Sequence, residues 1–367
     1  MEMISVKDVI TYLESVAPLS LQESYDNSGL IVGDFSTEVK GILLALDCVE
    51  SVIEEAVRQN CNLIITHHPI VFAGVKKLNG KNYVERTVIK AIQQGIAIYA
   101  IHTNLDNIYS GVNRKICETL GLKNLRILAP KKNLLKKLVT FCPIESAETV
   151  RSALFEAGCG NIGNYDECSF NIAGTGTFRA LEGAHPFVGE IGKRRHESEE
   201  RIETIFSSGL EKNIINALFK AHPYEEVAYD IYPLENYNQY SGSGMIGELQ
   251  EEVSEAEFLE LLKKTMKAGC IRYTRLLGRK VKMVAVCGGS GSFLLNDAIG
   301  AKADFFVTAD FKYHQFFDAD NNIVIADIGH YESEQFTPDL LKELLVRNFS
   351  TFAVRLTELV TNPVHYY

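Results

Sequence analysis

No run of apolar residues in this 367-residue chain approaches the ~20 needed to cross a bilayer. Its opening stretch, MEMISVKDVITYLES, has no charged-then-apolar leader pattern. Both absences speak against a membrane-embedded or exported protein, and a cytoplasmic one is expected. Positive charge is also scarce: 37 Lys and Arg stand against 47 Asp and Glu, for a formal net charge of -10 and a pI near 5.5. General binding to nucleic acid or to an anionic membrane needs basic surfaces, so this balance argues against both and leaves room only for a local basic patch. The eight cysteines are scattered, with no CxxC pair among them, which leaves no thiolate metal site and reads as reduced thiols filling small core positions. The Rossmann and P-loop glycine spacings are missing as well. The loop Gly288 to Ser292 is therefore either a plain tight turn or a phosphate cradle at a helix start, the turn being the simpler reading.

What is present is ample apolar material, 46 % of the chain, and a length that implies two or three domains. The stretch that organises the rest is Ile64-Ile65-Thr66-His67-His68-Pro69. A β-branched run reads as a buried strand and Pro69 ends it. Neighbouring side chains on a strand point to opposite faces, so two adjacent histidines converge on one site only where the strand stops. Strand ends are where open α/β sheets hold their ligands. Alone, the pair fits a metal site and a hydrogen-bonded structural pair equally well.

Strands and helices alternate on both flanks. The first flank predicts helix 6–17, strand 39–46, helix 49–59, strand 62–66, helix 83–94, strand 96–101 and helix 112–120. The second predicts helix 255–267, strand 282–287, helix 293–299, strands 304–308 and 323–328, and helix 337–347. Such alternation argues for mostly parallel sheet covered on both faces. Between them, near Lys131, the rhythm changes to a β-α-β-β-α-β order, the ferredoxin-like split unit. Ser241-Gly242-Ser243-Gly244 reads as a return linker. The expected division is a discontinuous core, 1–130 with 241–367, interrupted by an inserted domain over 131–240.

The flanks also echo each other. In the first, successive strand ends carry His67-His68 and then His102 with Asp106; in the second they carry Asp310 and then His330 with Glu334. Two half-sheets related by a two-fold would gather His67, His68, His102, Asp106, Asp310, His314, His330 and Glu334 in one cleft. Imidazoles with carboxylates are donors for borderline divalent metals: zinc, iron, manganese, nickel or cobalt. Asp106 and Glu334 can bridge two ions about 3.5–4 Å apart, and an i,i+4 pair such as His330 and Glu334 shares a helical face. His102 and His314 are read as hydrogen-bond partners of ligands or as proton carriers. Asp310 either caps a helix or joins the site. His185, His196 and His222 fall in the insertion without matched spacing and are not expected to be ligands.

Six ordered motifs, SYDNSGLIVGD (24–34), ITHHPIVF (65–72), HTNLD (102–106), CGGSGS (287–292), TADFKYH (308–314) and GHYESE (329–334), together resemble the Nif-three-like family, whose bacterial members are labelled GTP cyclohydrolase 1 type 2 homologues. Tyr25 stands where that family often has tryptophan, a packing change. The insertion, with AHPYEEVA at 221–228, is similar to the CutA-like or PII-like domain of the longer members. The resemblance implies an α/β fold with a pseudo-two-fold core, a toroidal homo-oligomer, typically a hexamer, and two divalent metal ions per chain, zinc foremost. By motif matching the ligands would be His67, His68, Asp106, His330 and Glu334. It implies a metal-dependent hydrolase of a nucleotide or related phosphorylated substrate. In a cyclohydrolase, water activated at the metals attacks C8 of guanine, and His314 or His102 moves protons as formate leaves. A phosphoesterase on the same centre is the near alternative; a metal-handling or regulatory module, sensing through the insertion, is the alternative from another class.

Overall fold

Helix starts follow capping chemistry. Ser5 accepts the Asp8 N–H while the Asp8 carboxylate takes the Ser5 N–H, which opens helix Val6–Val16; Ser254 and Glu257 repeat this box before helix Glu255–Thr265. The structure, a computed structural model, describes residues 3–367. They fall into two compact units: one runs to Pro130 and resumes over Gln239–Tyr367, and the other is Lys131–Asn238. No helix among the described residues is long and apolar enough to cross a membrane.

In chain order the strands are β1 (Gly29–Val32), β2 (Gly41–Ala45), β3 (Leu63–Thr66), β4 (Ala97–Ala100), β5 (Lys123–Lys131), β6 (Leu135–Pro143), β7 (Ser169–Arg179), β8 (Arg194–Ser207), β9 (Tyr229–Leu234), β10 (Asn238–Ser254), β11 (Arg272–Tyr273), β12 (Lys280–Ser290), β13 (Phe305–Ala309), β14 (Val324–Asp327) and β15 (Ala353–Leu356). The fold is mixed α/β with several sheets. The first unit holds two, ordered β1-β4-β3-β2-β15 and β11-β14-β13-β12-β10-β5. Strands β2, β3 and β4 run parallel, as do β12, β13 and β14, while β1 and β11 close the ends of these triplets antiparallel to β4 and β14. The sequence echo is thus a repeated strand order, with β3 matched by β13 and β4 by β14.

Both sheets are covered on both faces, which explains their unbroken apolar strands. Ile42, Leu63 and Tyr99 from one sheet and Val284, Phe305 and Val324 from the other share one core with helices Val6–Val16, Val112–Thr119, Glu255–Thr265 and Thr337–Asn348. Opposite faces pack separately, under helices Glu50–Arg58 and Tyr83–Gln93 on the first sheet and under Leu295–Gly300 on the second.

Two expectations are corrected here. Ser241 to Gly244 is not a linker but lies inside the 17-residue strand β10, and β5 was not expected as a strand. The glycines that suggested a linker serve close approach. A Cβ at Gly242 would meet the Ala129 carbonyl oxygen at 2.3 Å, and Gly244 sits at φ +65°. Gly-Ser repeats carry no apolar alternation, so the strand period was hidden. Likewise β12 runs on through Gly288 and Gly289 to Ser290.

In the second unit the strand order is β7-β8-β6-β9, all pairs antiparallel. Helices Ala147–Glu156 and Glu211–Ala221 pack on one face through Leu138, Ile202, Phe206, Val150, Leu154, Ile214 and Leu218.

Phe258 and Phe305 are fully buried in the shared core and meet edge to face, ring centroids 4.7 Å apart. Phe305→Ala should cost about 3–5 kcal/mol, because the cavity left behind cannot be filled by rigid strand neighbours. Urea unfolding of the variant checks this; a loss below about 1 kcal/mol would mean the core repacks.

Candidate metal centre

Four histidines sit at the ends of β3, β4 and β14, and each is held by a bond at Nδ1. His67, fully buried, donates from Nδ1 to the Ile101 carbonyl at 2.9 Å. His68 Nδ1 lies 2.7 Å from Asp47 Oδ1, His102 Nδ1 2.8 Å from Asp26 Oδ1, and His330 Nδ1 2.7 Å from Asp310 Oδ2. An imidazole that donates at Nδ1 presents a lone pair at Nε2. These second nitrogens turn inward. His67 Nε2 approaches Asp106 Oδ1 at 3.5 Å and Glu334 Oε1 at 3.7 Å; His68 Nε2 and His330 Nε2 lie 3.0 and 3.2 Å from Glu334 Oε2. Three sets of donor atoms result, each within 4.8 Å of one another: His67, His68 and His102; His68, His330 and Glu334; His67, Asp106 and Glu334.

Glu334 reaches this position from the short helix His330–Glu334, behind Gly329 at φ +96°. A side chain at Gly289 would place its Cβ 2.5 Å from Glu334 Oε1. The backbone N–H groups of Gly288 and Gly289 are taken by Asn113 Oδ1 and Ser333 Oγ at 3.0 and 2.9 Å. The glycine pair therefore makes room for Glu334, and its N–H groups are not free to cradle a phosphate. Asp106 ends the turn Thr103–Asp106 that follows His102.

The fit to a cation rests on orphaned donors. His67 Nε2 and Asp106 Oδ1 are buried with no hydrogen-bond partner. Buried polar atoms are normally paired, so this pair marks a place where something positive belongs. His68 Nε2 faces His330 Nε2 at 3.3 Å, two nitrogens that repel as lone pairs unless a proton or metal stands between them. Burial disfavours the charged form of His68, yet bonds to Asp47 and Glu334 outweigh it and push its pKa up to about 9. Asp310 and Glu334 likewise raise His330 against the effect of burial. Burial opposes charge on Glu334 too, but the surrounding imidazoles of His330, His67 and His68 hold its carboxyl well below the usual range. Asp106 moves the other way, raised by burial and by the Glu334 charge beside it.

The structure gathers His67, His68, His102, Asp106, Asp310, His330 and Glu334 as their strand-end positions suggested. It does not bring His314 to them. Asp310 adopts φ +59°, the chain turns, and the 3-10 helix Tyr313–Ala319 carries His314 outward, its exposed ring against Tyr313 and Phe317. Asp310 caps nothing; it orients His330. Two carboxylates were missed as supports. Asp47 directly follows the apolar run of β2, a strand-end acid that position alone could have flagged, and its second oxygen takes the Thr361 hydroxyl at 2.7 Å. Asp26 lies in a turn-rich motif, where turn chemistry hid it. The cluster opens into a cavity of about 690 Å3 whose walls include Tyr25, Phe72, Phe293, Tyr331, Tyr366 and Arg272.

A profile of the Duf34/NIF3 family (NGG1p interacting factor 3) matches residues 4–363. The chain belongs to this family. Among curated Duf34/NIF3 relatives, a GTP cyclohydrolase 1 type 2 homolog of Bacillus subtilis is 38 % identical over 362 residues, 97 % of each chain. The solved structure of a Bacillus cereus protein related to NIF3 superposes with a TM-score of 0.87 at 38 % identity, covering 100 % of both chains. A Staphylococcus aureus structure gives 0.80 at 29 % identity, again over 100 % of both.

Asp310→Ala should weaken divalent-metal binding about 10–100-fold, because the His330 ring loses the carboxylate that aims it. Competition against a chromophoric chelator measures this; unchanged affinity would make Asp310 incidental. A cation must also displace the His68 proton, so below about pH 9 binding releases a proton and tightens as pH rises. Metal titrations from about pH 6.5 to 9 with a flat affinity would contradict that assignment. The metal-free chain should lose stability over the same interval, since a group with a raised pKa stabilises the fold only while protonated.

Proposed function

We propose that this chain is a dinuclear-metal-dependent hydrolase acting on a nucleotide or a related phosphorylated small molecule. The observation that carries this reading is the pair of buried, unpartnered donors, His67 Nε2 and Asp106 Oδ1, beside the facing Nε2 atoms of His68 and His330. His67 and Asp106 would hold one ion and His68 and His330 another, with Glu334, which belongs to both donor sets, between them. Nitrogen and carboxylate donors suit zinc first, with iron, manganese, nickel and cobalt in the same class. When bound, the ions supply Lewis acidity and lower the pKa of water.

The chain's own residues do the rest. Asp26, held as a carboxylate despite burial by bonds from His102 and Thr103, fixes His102 with Nε2 free to carry a proton at the cleft. Aromatic walls at Tyr25, Phe72, Phe293, Tyr331 and Tyr366 suit a flat heterocycle. Arg272 is the one lysine or arginine among the lining residues, and its guanidinium is held there by Asp327 and the Phe311 carbonyl. The names of the relatives favour opening of a guanine-type ring, with formate as product, over phosphate release.

A cytoplasmic homo-oligomer, in the form of a toroidal hexamer, completes the reading. Tyr313, His314 and Phe317 form an exposed aromatic cluster that supports burial against another copy. In the second unit the strand order, written in its own numbering, is 4-1-3-2 from β9 to β7. That is the ferredoxin-like arrangement and supports residues 131–240 as an inserted CutA/PII-like domain.

Metal-loaded protein should release formate from one member of a nucleotide panel; phosphate instead would make it a phosphoesterase, and neither product would overturn the hydrolase. Elemental analysis should find about two metal equivalents, falling to one or none in His67→Ala and Glu334→Ala. Unchanged content in both variants would remove the site.

A further inference from the structure

The second unit has a cavity of its own, about 690 Å3. Its floor is the sheet face turned away from the two helices. Leu138, Cys142, Ile202 and Phe206 point to the helices, so Phe141, Glu199 and Arg201 point to the other side. Across that face Ile172, Arg201 and Phe141 are paired on three strands, and Gly174 stands opposite Glu199. Three rings form the walls: Tyr224 has its ring centroid 6.0 Å from Phe178 and 6.3 Å from Phe187.

Glu199 lies at the base of these rings and is only 9 % exposed. The Tyr224 hydroxyl donates to its Oε1 at 2.9 Å. A Cβ at Gly176 would stand 1.9 Å from Oε2, so glycine there is what lets the carboxylate lie flat on the sheet. Among the described residues no cation pairs with it. Arg201 is engaged by Glu203 at 2.7 Å and Arg195 by Glu197 at 2.8 Å. His222 is fixed as a neutral ring: Nε2–H donates to the Phe141 carbonyl at 3.0 Å, Nδ1 accepts the Tyr224 N–H at 3.1 Å, and burial lowers its pKa. Burial, together with Glu199, raises the Tyr224 phenol, so the hydroxyl stays a donor to the carboxylate. Glu225 and Glu226 also line the cavity, against Arg179 and Arg201, so its lining is net negative. A buried carboxylate gains from a counter-charge, and the described residues supply none here.

We propose that this cavity binds an organic ammonium cation, received on the faces of Phe178, Phe187 and Tyr224 and charge-compensated by Glu199. Aromatic rings attract an alkylated nitrogen through their quadrupoles, and the attraction is strongest where water is displaced. This site is separate from the metal centre and does not depend on the hydrolase reading.

Calorimetry on the full chain with choline, and with its neutral isostere 3,3-dimethyl-1-butanol, tests the charge requirement. Choline should bind at least about tenfold more tightly than the alcohol. Glu199→Gln and Phe187→Ala should each weaken choline by about tenfold or more, with metal content and melting temperature at wild-type values. Phe187 is 52 % exposed, so its truncation keeps the test valid if Glu199→Gln does not fold. Equal binding of the two probes, unchanged choline affinity in Phe187→Ala, or no choline binding up to about 10 mM would overturn the proposal.

Discussion

The bond at Nδ1 of each cleft histidine is the constraint on which the metal centre depends. For His67 the acceptor is main chain: β3 and β4 are in register with Thr66 opposite Ala100, which sets the Ile101 carbonyl beside the His67 ring. Sheet pairing therefore orients the most buried donor directly. The other three rings rely on carboxylates from three further segments: Asp47 after β2, Asp26 in the turn before β1, and Asp310 after β13. Fixing Nδ1 fixes the tautomer and aims Nε2, so the cleft has its donor set before any ion is bound.

Concentrating charge this way strains the fold's electrostatics, and the backbone is shaped to tolerate it. Glu334 and Asp106 share one pocket, where two carboxylates repel and both are poorly solvated. Left-handed or otherwise permissive backbone at Asp310, Gly289 and Gly329 brings the second half of the site into range of the first. Those positions lie at strand ends, where such conformations concentrate around function. The apolar cores on both faces of the two sheets supply the rigidity that keeps these loops in place.

The second unit answers a similar problem differently. Its buried carboxylate rests on a glycine and a tyrosine hydroxyl, with neutral His222 nearby and no imidazolium to balance it. Nothing in the sheet gives that carboxylate a counter-charge, and the aromatic rings above it leave room for one.

By itself the sequence determined the alternation of strands and helices on both flanks, the strand-end placement of His67, His68, His102, Asp310 and His330, and the change of rhythm near Lys131. These are local matters: apolar period, breakers and caps act within a few residues. Only the tertiary structure decided which strand-end groups meet. Sheet order set Glu334 beside His67 across 267 positions, and the turn at Asp310 sent His314 outward. Asp47 and Asp26 became supports because of what lies across the cleft from them. Glycines at Gly242 and Gly244, which locally suggest a linker, are strand residues because neighbouring backbone comes too close for a side chain. Close approach between distant segments leaves no periodic trace in sequence, which is why the fold had to reveal it.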